Sequence, residues 1–225
     1  MTEALYKTPV MKKFAVVLAG CGVYDGAEIQ EAILTLLAIE KNGGSYQVFA
    51  PDMIQHDVIN HLSGEKMNEQ RNVLVESARI ARGNAKPLHE FDEKHFDAII
   101  FPGGFGCVKN LSTWAFEGDN CSVQPAVKQS IRKMHKAGKP VGAMCIAPVI
   151  LAKLFSGTRL TTGNDRASGE FIQKMGSVYV AATYGEVVAD DTLKLFTTPC
   201  YMLDSTLMQI AEGTDNLVKA MMNAC

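Results

Sequence analysis

The chain has 225 residues, 47% of them apolar and 20% charged, with a net charge of −2. That is ample material for one sizeable core, and the balanced charge excludes both the basic footprint of a nucleic-acid binder and the polybasic patch of a membrane-surface protein. No apolar run approaches the roughly 20 residues of a membrane span. The opening MTEALYKTPVMKKF has neither a signal core nor an Arg-rich presequence, so residues 1–11 are expected to be a loose lead-in to a single cytoplasmic domain over 12–225.

Short β-branched runs alternate with longer stretches of helical period. FAVVLAG (14–20) is apolar throughout, as a strand covered on both faces must be. GAEIQEAILTLLAIEKNG (26–43) follows as a helix, with Ile29, Ile33, Leu36 and Leu37 at helical spacing and glycines as its stop. SYQVFAP (45–51) reads as the second strand, and the residues to about 70 have no period. A helix is expected over 72–83, then a strand in FDAIIFPGGFG (96–106) that ends in a glycine turn. A helix over 122–138 leads to the strand KPVGAMC (139–145), a helix over 147–155 and the short strand TRLTT (158–162). Beyond these the pattern predicts a helix over 165–176 and strands at 177–182, 185–190 and 192–199. A last helix runs over 204–223 and is expected to break or bend near Gly213. Such alternation implies βαβ units: an α/β fold with a mostly parallel sheet, helices on both faces, and an antiparallel edge or flap after residue 177.

In an open α/β sheet, ligands bind beyond the carboxyl ends of the strands. AGCGVYDGAE, PGGFG, AMCIAP and TTPCYM all fall at such ends, and core packing gives no reason for glycine, cysteine and acid to gather there. Cys145 stands at a strand-to-helix junction, where a side chain projects over the sheet near the positive end of a helix dipole that favours thiolate; the alternative is a small buried hydrophobe. Backbone N–H groups of the PGG turn suit an oxyanion. Gly20, Gly22 and Gly26 miss the G-x-G-x-x-G dinucleotide spacing by one residue, and Glu28 would occupy the place of a pyrophosphate. The same Glu28 suits proton transfer beside a thiol, or plain helix-end electrostatics. His89, His95 and His135 belong at the opposite rim, while the loop holding His56 and His61 has no assigned position. The six cysteines form no C-x-x-C pair, so free thiols are expected.

The runs AVVLAGCGVYDGAEIQEAILTLLAIEKNG, FPGGFGCVKNLS, VGAMCIAP and TTPCYM, in that order, resemble the ElbB-type members of the ThiJ/PfpI superfamily, from about Lys12 to Asn223. The resemblance implies a three-layer sandwich of the class I glutamine-amidotransferase-like, flavodoxin-like kind. It implies a nucleophilic Cys145, Glu28 as its acidic partner, and an oxyanion and substrate site at Gly103, Gly104 and Ile146. Many members of the superfamily carry histidine directly after the cysteine, and Ile146 here speaks against amidase or protease chemistry. The implied activity is that of a glutathione-independent glyoxalase, a hydro-lyase turning glyoxal or methylglyoxal into the 2-hydroxy acid without metal or organic cofactor. A homodimer and a link to isoprenoid production are implied as well. Two other readings stand beside it: a cysteine-based redox sensor or binding protein with little turnover, and a thiolate metal site from Cys21, Cys107, Cys145 and Cys200.

Overall fold

A computed structural model describes residues 11–225. The expected lead-in therefore lies outside the described residues except for Met11. In chain order the elements are β1 (Lys13–Val17), α1 (Ile29–Lys41), β2 (Ser45–Ala50), α2 (Val73–Ile80), β3 (Ala85–Pro87), β4 (Ala98–Phe101), α3 (Gly106–Lys109), α4 (Trp114–Glu117), α5 (Pro125–Lys136), β5 (Val141–Met144), α6 (Pro148–Leu154), β6 (Arg159–Leu160), α7 (Arg166–Lys174), β7 (Val178–Tyr179), β8 (Val188–Asp190), β9 (Leu195–Thr198) and α8 (Leu207–Ala224).

Seven strands form one sheet in the order β3-β2-β1-β4-β5-β9-β8, while β6 and β7 form a small parallel pair apart from it. Every neighbour in the large sheet is parallel except β8, which runs antiparallel to β9 as an edge. The chain winds outward from β1 through β2 and β3, then returns to β4 on the other side of β1. That reversal is the switch point where α/β sheets open a crevice.

Alternation along β1 sorts the two cores. Phe14, Val16 and Leu18 face α1 and α8, packing with Leu36, Ile39, Leu217 and Met221. Ala15, Val17 and Ala19 face the other way, into a core with Val127 and Ile131 of α5 and Ile150 and Leu151 of α6. Each large side chain so buried contributes roughly 1.5–3 kcal/mol, which makes this a three-layer α/β sandwich of the expected class.

Two expectations need correcting. α8 runs unbroken through Gly213, which lies buried where the helix meets Thr198 and Gly185. Helix α1 is also rotated from the face read in the sequence. Leu36 is buried as read, but Ile29, Ile33 and Leu37 are exposed, and the buried stripe runs through Glu31, Thr35 and Ile39. This rotation decides which carboxylate enters the sheet's edge.

Candidate active site

Four strand-end turns meet above the switch point. The first, after β1, is stitched by Gly22 N–H to Ala27 O (2.9 Å) and by Asn110 Nδ2 to the carbonyls of Ala19 and Asp25 (both 2.9 Å). It delivers α1, whose N-cap is Glu28. The second is Pro102–Gly103–Gly104 after β4, the third is Cys145 after β5, and the fourth is Pro199–Cys200–Tyr201 after β9.

Cys145 sits at the elbow between β5 and α6 with φ of +59°, a left-handed conformation that a residue with a Cβ adopts only under constraint. Its N–H donates to Thr198 O (3.1 Å), tying the elbow to the neighbouring strand. The residue is 6% exposed. Its sulfur and the Glu31 carboxyl both border Gly103, and the Glu31 charge and the Gly104 N–H both act on the thiol.

Glu31 is fully buried. Its Oε2 accepts the Gly103 N–H at 2.9 Å and its Oε1 accepts the Tyr201 N–H at 3.1 Å. One carboxylate thus ties together the turns after β4 and β9, beside the Cys145 elbow. Glu28 does something else: its Oε2 accepts the Glu31 N–H at 2.6 Å, capping the helix. The sequence reading put Glu28 beside the thiol; the structure puts Glu31 there, one turn further in on the same helix face.

Electrostatics follow from this burial. Loss of water raises the Glu31 carboxyl from its ordinary 4.5 to about 7, against the lowering effect of the Tyr201 and Gly103 N–H groups and with help from the nearby Glu28 charge. Burial, then the Glu31 charge, pushes the Cys145 thiol well above its usual range, and the Gly104 N–H opposes this. Of the two groups the carboxyl is therefore the first to give up its proton as pH rises. Burial also raises the Glu28 carboxyl, against the pull of three helix N–H groups.

The glycine turn leaves no spare room. A Cβ on Gly103 would lie 2.6 Å from Glu31 Oε2 and 2.8 Å from Cys145 Sγ. The Gly103 N–H, expected as an oxyanion donor, is held by Glu31, whereas the Gly104 N–H acts on the Cys145 thiol. Ile146 follows Cys145, but its side chain packs into the core on the α5 and α6 side, opposite the face that holds Cys145.

The segment over 53–71 covers the first turn. Ile59 N–H donates to Asp25 Oδ2 (2.7 Å), and His61 packs on Tyr24 with ring centroids 4.9 Å apart. His56 stacks on Phe116 at 4.0 Å and pairs with Asp57 at 3.2 Å. A hollow of about 250 Å³ is lined by Tyr24, Ile59, Gly64, Phe105 and Lys109, and Phe105 directly follows Gly104, so this space adjoins the glycine turn. A larger hollow of about 400 Å³, with His56, Lys109 and Gln124 in its wall, does not include Cys145. Cys107 is buried with its Sγ 3.2 Å from Pro102 O, and Cys21 is half-buried in the first turn. Among the described residues no three His, Cys, Asp or Glu side chains are grouped to hold a metal ion, and no helix is long and apolar enough to cross a membrane.

The chain as a whole is similar to known proteins. The chain is 42% identical over 217 residues to the human glutamine amidotransferase-like class 1 domain-containing protein 3, mitochondrial, covering 92% of this chain and 81% of the relative. It is 32% identical to the zebrafish ES1 protein, mitochondrial, over 92% of this chain and 84% of the relative. A solved isoprenoid biosynthesis protein with an amidotransferase-like domain, from Ehrlichia chaffeensis, is 36% identical with a TM-score of 0.88, covering 95% of this chain and 100% of that one. Glyoxalase III from Candida albicans, 16% identical with a TM-score of 0.62 over 94% of this chain and 97% of that one, shares the fold. Residues 19–202 match the DJ-1/PfpI family, and the chain belongs to that family.

Proposed function

We propose that this protein is a cofactor-independent glyoxalase that converts glyoxal, and with it methylglyoxal, to the 2-hydroxy acid. The observation that carries the reading is the buried Cys145–Glu31 pair flanking Gly103, with the carboxyl held near 7 and the Gly104 N–H acting on the thiol. A general base of that strength is matched to neutral pH. Glyoxalase III shares this fold, and the name of the Ehrlichia chaffeensis relative supports a place beside isoprenoid synthesis.

In the scheme, Glu31 takes the thiol proton as Cys145 sulfur attacks one aldehyde carbon. The proton passes to the new alkoxide, giving a hemithioacetal. Glu31 then removes the C–H proton from that carbon, forming an enediol, and the neighbouring carbon is protonated. The product is a glycolyl thioester; water cleaves it, releasing glycolate and restoring the thiol. Two hydrogens move within the substrate, one water is consumed, and no external electron acceptor enters. The Gly104 N–H steadies sulfur between steps. Ile146 offers no imidazole, so a histidine-dependent amide cleavage has no base.

The test is organic-acid formation from glyoxal and methylglyoxal by the wild type and by Cys145→Ala. Turnover should vanish in the variant. An unchanged rate would remove Cys145 from the chemistry and the scheme with it.

A further inference from the structure

Cys145 has a second thiol beside it. Cys200 stands on the adjacent strand end, past β9, where Met144 pairs with Thr198 in register and the Cys145 N–H donates to Thr198 O at 3.1 Å. Cys145 and Cys200 thus stand one and two residues beyond the last registered pair of neighbouring parallel strands. Such strands run about 4.8 Å apart, within the range of Cα separations, about 4.4–6.8 Å, that a disulfide spans.

Direction agrees with distance. Both residues belong to the core on the α1 and α8 side of the sheet. Cys200 Sγ lies 3.9 Å from Thr214 Oγ1 of α8, and the Glu31 carboxylate acts on both sulfurs. Both residues also have positive φ, +59° at Cys145 and +45° at Cys200, so each turn is bent to hold its side chain over the strand ends. The nearby Cys107 packs in the core on the opposite face. Cys145 is only 6% exposed, an opening better suited to a small oxidant than to a protein partner.

We propose that Cys200 is the resolving thiol of Cys145: hydroperoxide oxidises Cys145 to a sulfenic acid, and Cys200 converts it to a Cys145–Cys200 disulfide. In the first step sulfur gives two electrons to the peroxide O–O bond, taking one OH and leaving water. In the second, Cys200 sulfur attacks Cys145 sulfur. The S–S bond forms, the S–O bond breaks, and the departing hydroxide leaves as water with the Cys200 proton, for which Glu31 is the adjacent carrier. The disulfide is reduced by a dithiol, returning both thiols. Its use is to halt oxidation before the irreversible sulfinic stage. The step requires a reactive Cys145 and not dicarbonyl turnover, so the two readings fail separately.

The test treats wild type and Cys200→Ser with stoichiometric hydrogen peroxide, followed by intact mass and peptide mapping without reduction. Wild type should lose two hydrogens and yield a cross-linked pair of the Cys145 and Cys200 peptides, abolished by dithiothreitol. Cys200→Ser should lose that pair and gain oxygen on Cys145 instead. Oxygen adducts on Cys145 with no cross-link in wild type would overturn the proposal, as would a cross-link to any other cysteine or no oxidation of Cys145. The wild-type map decides the matter even if the variant fails to fold. Glyoxal turnover of the reduced protein, measured alongside, reports separately on the dicarbonyl reading.

Discussion

Replacing Glu31 with Gln separates what the carboxyl does for chemistry from what it does for folding. In the folded chain its proton is held up to about 7 instead of 4.5. The sign follows from linkage: the folded state binds this proton more tightly, so the stabilisation is full below pH 4.5 and is lost as pH rises through 7. The difference amounts to about 3 kcal/mol, a cost that the wild type carries at pH 8 and an uncharged glutamine does not. Against this, one of the two N–H donors, Gly103 or Tyr201, would face an amide NH₂ in place of an oxygen, and an unsatisfied buried donor costs about 1–3 kcal/mol. Glu31→Gln should therefore be as stable as wild type at pH 8, or slightly more so, and less stable relative to wild type at pH 5. Its dicarbonyl turnover should fall by about 10²–10⁴, the usual contribution of a general base. Its kcat/KM should also lose the rise through pH 7 that is expected of the wild type. Urea unfolding at the two pH values, with glycolate formation across pH 5–9, makes the measurement. A variant destabilised by several kcal/mol at pH 8 that keeps most of its turnover would refute the reasoning.

Other outcomes follow from the same geometry. Glu28→Gln retains an acceptor for the Glu31 N–H and should change turnover less than tenfold, while Glu28→Ala should cost about 1 kcal/mol of stability through the lost cap; thermal melts beside rates check both, and a Glu28→Gln as slow as Glu31→Gln would reverse their roles. Gly103→Ala forces a methyl against Glu31 Oε2 and Cys145 Sγ, so it should cost about 1–3 kcal/mol by overpacking and slow alkylation of Cys145 by iodoacetamide; an unchanged alkylation rate would argue against a tight turn. Burial alone would raise the Asp57 carboxyl, but hydrogen bonds from Lys66, His56 and Lys109 hold it down at about 2. Its contribution is present above pH 3.8 and lost as pH falls towards 2. Asp57→Asn should raise amide exchange over residues 53–71 at neutral pH, and unchanged exchange there would show that the ion pairs do not fasten the segment.

The layer architecture was legible because the strands are short, β-branched and bounded by glycine, and because the helices between them stop at glycines such as Gly43, Gly83, Gly138 and Gly176. The rim of cysteine and glycine turns was legible for the same reason, since strand ends can be counted. Glu31 was not. Ile29, Ile33 and Leu37 supply an apolar stripe with a good helical period, and that stripe faces solvent, so hydrophobic periodicity picked the wrong face of α1. The overlooked signal was Thr35 and Ile39 at i+4 and i+8 from Glu31, which place that acid on the buried stripe. β3 escaped notice because Ala85–Pro87 is three residues long and contains Lys86 and Pro87, the composition of an edge. The short helices α3 and α4 are single turns whose shape comes from tertiary contacts more than from propensity.

The left-handed backbone at Cys145 and Cys200 bears on how this protein should be engineered. Such a conformation at a residue with a Cβ typically costs about 1–3 kcal/mol, and glycine adopts it freely. A library sorted by heat tolerance alone would drift towards glycine at these two positions, and so towards robust proteins without a working sulfur. Directed evolution of this scaffold needs a thiol-labelling gate at every round.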